Sequence, residues 1–156
     1  MPFQMARSQQ FEMALDRGCD VVIHLVSTPI AVRQALGEIV NHPTIAQLDI
    51  AVLGDVQLVL AEVLNNIVEH AFDCDDGKIE LRLRSEARRL FCTILDFGAP
   101  MPQGLLPTGL PQSVGGDQPP AEGGYGWFLI RAMAKNLLYR RIGSRNHLSF
   151  EVKIEQ

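Results

Sequence analysis

Cysteine is scarce in this chain of 156 residues: Cys19, Cys74 and Cys92 are the only three. They are odd in number and lack the paired spacing of a zinc site, so neither a disulfide framework nor a metal knot is expected. A reducing, cytoplasmic setting fits them. Long apolar runs are also missing. The start, Met1-Pro2-Phe3-Gln4, lacks the long apolar run of a signal peptide, and no segment is expected to span a membrane. Net charge is only −4, so no global basic field points to direct contact with nucleic acid. Acidic residues are absent between Glu122 and Glu151, where Arg131, Lys135, Arg140, Arg141 and Arg145 stand. These read as a solvated basic face, the alternative being a docking surface for an acidic protein or for phosphates. Familiar nucleotide signatures are absent too. No G-x-x-x-x-G-K-[ST] occurs, Leu129 stands where a dinucleotide fingerprint needs its third glycine, and Asp96-Phe97-Gly98 lacks the H-R-D partner of a eukaryotic-type kinase.

What is present is a chain whose length favours one domain, with 47% apolar residues to fill its core. Residues 1–19 carry no clear period and read as a partly ordered extension. Residues 20–26 alternate weakly and are rich in Val and Ile, which predicts a strand. Thr28-Pro29 starts a helix over about 30–40, which His42-Pro43 ends. Asp49 caps the next helix, with Leu53, Val56, Leu60, Val63, Leu64, Ile67 and Ala71 as its core face. A hairpin follows: residues 78–84 alternate apolar with charged, a turn lies near Glu86-Ala87-Arg88, and 90–96 returns. Period two puts Asp96 on the face of Leu90, Cys92 and Ile94.

Residues 99–122 hold six of the nine prolines and four glycines. A segment this long without periodicity inside a compact domain reads as a lid. A helix opened by Gly123-Gly124-Tyr125-Gly126 is expected next, with Ile130, Met133, Ala134 and Leu137 as its buried stripe. A last hairpin turns near 143–146, with Leu148, Phe150, Val152 and Ile154 facing in and His147, Ser149, Glu151 and Lys153 facing out. Charged strand faces call for helices on the other face only. The predicted fold is therefore α+β: a two-layer sandwich, mostly antiparallel, with about three helices on one face.

The densest chemistry lies on the second helix. Glu62, Asn66 and His70 are four residues apart, so a carboxylate, an amide and an imidazole share one side. Gly124-Tyr125-Gly126 before a helix suits an anion, which bare backbone N–H groups and the helix dipole both favour. Asp96 offers an acceptor to a ligand amine, and Gly98 lets a flat ring approach the backbone.

Taken in order, these features resemble the anti-sigma factor serine/threonine kinases, a branch of the superfamily shared by gyrase, histidine kinases and the mismatch-repair ATPase. Glu62 to Phe72 looks like the N box, E-x-x-x-N-x-x-x-H-[AG]-[YF]. Asp96-Phe97-Gly98 looks like the first glycine box, and Gly123 to Ile130 like the second. The resemblance covers residues 20–154 and implies a Bergerat-type ATP-binding fold with a lid at 99–122. It implies that Asn66 holds Mg²⁺ on the ATP phosphates and that Glu62 is the general base. It further implies that Asp96 and Gly98 meet the adenine, and that Gly124, Tyr125, Gly126 and His70 belong to the ATP site. The implied partners are a sigma factor and an anti-anti-sigma (STAS) protein, with a homodimer as a further possibility. Two other readings compete: an ATP-binding partner switch without transfer, and a histidine-kinase catalytic domain, which the short stretch before the first strand disfavours.

Overall fold

The computed structural model describes residues 18–70, 77–109 and 124–154. Strand β1 (Val21–Val26) buries every second residue, and Val21, Ile23 and Leu25 face the core. Helix α1 (Pro29–Asn41) follows. Thr28 caps it by accepting the Ala31 N–H at 3.2 Å, and Pro29 sits in its first turn, where no intrahelical donor is lost. His42 ends α1 and at once starts a single turn, α2 (Pro43–Ala46), which periodicity does not reveal because it is too short to show any.

Helix α3 (Ile50–His70) is the spine of the domain. Asp49 accepts the Ala51 N–H at 2.9 Å, as a cap should. Val56, Leu60, Val63, Leu64 and Ile67 are buried as the spacing predicts, together with Val59; Ala71 lies outside the described residues. Among the described residues, α3 alone is long and apolar enough to cross a bilayer, contrary to the expectation that no segment reaches that length. Its buried stripe, Val56, Val59, Leu60, Val63, Leu64 and Ile67, belongs to the core beneath the sheet, as in the core helix of a folded domain.

Strands β2 (Lys78–Glu86) and β3 (Arg89–Asp96) make the expected hairpin, with Ala87 and Arg88 in its turn. Beyond β3 the chain passes through a short 3₁₀ turn at Pro102–Gly104. The rest of the expected lid, from residue 110 to 122, lies outside the described residues. Helix α4 (Gly124–Met133) then leads directly into β4 (Ala134–Ile142), which pairs with β5 (Arg145–Lys153).

The expected helical stripe is therefore half wrong. Ile130 and Met133 belong to α4, but Ala134 and Leu137 lie in β4. Ala134 pairs with Val152, and the register shifts between Lys135 and Leu138, where Asn136 takes a left-handed φ of 52°. The irregular start of β4 hides its period of two, so the sequence reads as a continued helix.

The five strands form one sheet in the order β1-β2-β3-β5-β4, with every pairing antiparallel. The helices lie on one face, and the core fills the space between the layers. The α+β sandwich is as expected. His147 is not: it is only 6% exposed, although period two places it outward. The outer face is shielded by its own long side chains rather than by helices, and Arg84 covers the Phe91 ring at 4.4 Å.

Candidate functional site

Helices α3 and α4 meet where the sequence concentrates its chemistry. A Cβ built on Gly126 would stand 2.8 Å from Glu62 Oε2 and 3.2 Å from Asn66 Nδ2. The first turn of α4 thus lies directly against the acid and the amide of α3, and a side chain at position 126 would have to push those two groups aside. Asn66 Nδ2 donates to the Glu62 carbonyl at 2.7 Å, one turn back. This fixes the amide and leaves Oδ1 as an acceptor without a partner among the described residues. The Glu62 carboxylate likewise makes no hydrogen bond or ion pair among them. Tyr125 is 56% exposed at the start of α4.

His70 does not join this group. It ends α3 with its side chain 67% exposed, and its Nε2 lies 3.8 Å from Glu69 Oε2. At 1.5 Å of rise per residue, it stands about 12 Å along the axis from Glu62.

Asp96 is at the end of β3 and only 4% exposed. Its Oδ1 accepts the Gly98 N–H and the Asn146 amide, both at 2.8 Å. Burial pushes its carboxyl above the usual carboxylate range, opposed by those two hydrogen bonds and by the charge of Arg141. Oδ2 accepts no hydrogen bond among the described residues. A buried carboxylate with one oxygen spent and one open is a strong acceptor for a ligand N–H.

The residues that hold Asp96 escape a reading of the sequence. Asn146 is expected in a turn; it lies in β5 opposite Asp96 and is 5% exposed. Its Nδ2 also donates to Ala99 O at 2.9 Å, and its Oδ1 accepts from Tyr139 Oη at 2.6 Å and Arg141 Nη1 at 3.0 Å. The acid-free basic run is accordingly not just a solvated face. Arg141 also donates to Gly98 O at 2.7 Å, Arg131 to Pro107 O at 2.7 Å, and Arg145 lies 5.0 Å from the centre of the Phe97 ring. With no carboxylate nearby in sequence to claim them, these guanidinium groups secure the segment after β3. Gly109 completes that attachment. It is buried at φ +72°, and a Cβ there would come within 2.9 Å of Trp127 O and 3.0 Å of Phe128 N. Among the described residues, no group of three or more His, Cys, Asp or Glu side chains could hold a metal ion.

A helix-backed antiparallel sheet thus carries an acid–amide pair against one glycine-led helix start and a buried acceptor at the end of β3, the arrangement of a nucleotide-binding sandwich. The chain belongs to the histidine kinase-like ATPase domain family, which matches residues 25–152. Comparison with curated proteins gives no match. Among solved structures, the fold resembles that of the RsbU and RsbW domains of Rv1364c from Mycobacterium tuberculosis, with TM-score 0.56 and 13% identity over 87% of this chain. It also resembles the histidine kinase domain of the blue-light activated histidine kinase from Erythrobacter litoralis EL346, with TM-score 0.50 and 21% identity over 80% of this chain. The chain spans 33% and 60% of those two structures, so it corresponds to one part of each.

Proposed function

We propose that this domain binds Mg·ATP and transfers its γ-phosphoryl group to a serine or threonine of an anti-anti-sigma (STAS-type) protein, and that it sequesters a sigma factor in the same partner-switching cycle. The observation that carries the reading is the contact of Gly126 with both Glu62 and Asn66, which joins the N box to the second glycine box. A phosphate at the start of α4 meets the N–H groups and dipole of that helix. Asn66 Oδ1 is a hard oxygen donor suited to the cation, and magnesium, which keeps most of its waters, needs few protein ligands. An ion held there would supply charge neutralisation to the phosphates. Glu62, unpaired among the described residues, accepts the proton of the attacking hydroxyl. Asp96 Oδ2 accepts the adenine amine, and the segment rooted at Gly109 begins the lid. Phosphoryl transfer asks mainly for positioning and charge neutralisation, which these residues supply.

A second reading is an ATP-gated binding module without useful transfer. It draws on Arg131, the cation nearest in sequence after the lid, which spends its Nε–H on Pro107 O.

The test mixes the protein with Mg·ATP and the proteins encoded beside it in its genome. Phosphate should appear on a serine or threonine of one neighbour. Glu62→Gln should abolish that transfer, by at least about 10²-fold, with ATP binding intact. Equal transfer by Glu62→Gln removes Glu62 from the base role. Tight ATP binding with no acceptor phosphorylated favours the module.

A further inference from the structure

We infer that the β4–β5 hairpin is the positioning element of the base site: Tyr139, Arg141 and Asn146 hold Asp96 and the Gly98–Met101 backbone in the arrangement that selects a 6-aminopurine over a 6-oxopurine. The inference rests on the ATP reading above and assigns to that site residues that lie in neither glycine box nor the N box.

The Asn146 amide can be placed in two ways, and its neighbours admit one. Tyr139 Oη and Arg141 Nη1 both donate to Asn146 Oδ1, at 2.6 and 3.0 Å. That turns Nδ2 toward three acceptors: Asp96 Oδ1 at 2.8 Å, Ala99 O at 2.9 Å and Gly98 O at 3.3 Å. Without the two donors, the amide loses the groups that fix its sense, and a flipped amide would set oxygen against oxygen at all three positions. Tyr139 is itself fixed, because its hydroxyl accepts the Met101 N–H at 2.9 Å while donating to Asn146. Arg141 adds a second bond, to Gly98 O at 2.7 Å. The hairpin therefore grips the segment after β3 at Gly98, Ala99 and Met101, and grips Asp96 through one oxygen only.

That division of labour has a chemical consequence. With Oδ1 occupied by Gly98 N–H and Asn146, the carboxylate meets a ligand through Oδ2 alone, as an acceptor. The exocyclic amine of adenine donates to it; the 6-oxo group of guanine places oxygen against oxygen there. Such a buried mismatch is costly because neither group finds water. Tyr139, Arg141 and Asn146 make no contact with the base in this scheme, and they act through Asp96.

Calorimetric titration of the full chain with Mg·ADP and with Mg·GDP tests this. The variants are Tyr139→Phe, which removes one hydroxyl and no bulk, Asn146→Ser, and Arg89→Ala as a control at the far end of β3. Wild type and Arg89→Ala should prefer ADP to the same degree. In Tyr139→Phe, ADP affinity should fall about tenfold while GDP affinity stays within about twofold, with a thermal unfolding midpoint close to wild type. Asn146→Ser should move the ratio further in the same direction. Wild type that binds ADP, with a folded Tyr139→Phe that keeps the wild-type ratio or weakens both nucleotides equally, overturns the positioning role and leaves the ATP reading standing. Wild type that binds neither nucleotide refutes the ATP reading, and the inference with it.

Discussion

At the scale of single residues, Gly126 carries the most consequence. Its hydrogen occupies the space that a methyl group would contest with Glu62 Oε2 at 2.8 Å and Asn66 Nδ2 at 3.2 Å. Both neighbours are ends of side chains, so Gly126→Ala can be accommodated without moving backbone. The cost falls on function instead. Under the proposed mechanism, pushing the acid out from 2.8 Å to ordinary contact distance misaligns it for proton transfer, and near-attack geometry is sensitive to such shifts. Gly126→Ala should fold normally by circular dichroism yet lose roughly 10²-fold in transfer rate. Unchanged transfer would mean that Glu62 does not work from the position described. Asp96 shows a related economy. Its burial disfavours the ionised form, and Gly98, Asn146 and Arg141 offset that cost without consuming the outer oxygen. Cys92 has the opposite character: burial pushes its thiol well above the usual range, which marks it as a packing residue.

At the scale of elements, local signals are legible where an element's period is uninterrupted. Helix α3 announces itself through its apolar spacing and its Asp49 cap, and Glu62 and Asn66 follow from it. The β2–β3 hairpin is equally plain, so its period of two is enough to put Asp96 on the inner face. The α4–β4 junction is not legible, because β4 begins with a register shift and its pairing with β5 is a tertiary fact. Asn146 is hidden for the same reason. It meets Asp96 across 50 positions of sequence, and nothing local distinguishes it from a turn residue.

The β2–β3 turn gives this scale its prediction. Ala87 and Arg88 both adopt left-handed conformations, with φ of 50° and 63°, as a type I′ turn demands. Neither residue type is suited to it. Ala87→Asn should raise stability by about 1 kcal/mol, because asparagine tolerates the left-handed region that costs alanine roughly that much. A shift in the urea midpoint at constant slope would register the gain. No shift would mean that Ala87 is not held left-handed in solution.

At the scale of the whole molecule, the two faces of the sheet are built on different principles. The inner face is aliphatic and covered by α1, α3 and α4. The outer face has no helices among the described residues, yet Thr93, Leu95 and His147 are buried on it. Arginines are set among them, and this places a titratable ring where a positive charge is least welcome. Burial, first, and then the charges of Arg145, Arg140 and Arg82 hold the His147 imidazole below its ordinary value of 6.5. The linkage has one sign. The folded chain keeps His147 neutral, whereas the unfolded chain protonates it near the ordinary value. Its contribution to stability is therefore complete above about pH 6.5 and is lost as pH falls through that value toward the folded one. Unfolding midpoints should drop on acidification across this window, and the drop should be smaller in His147→Gln. A midpoint independent of pH between neutrality and the onset of carboxylate titration would show that the arginines do not impose this charge state on the sheet.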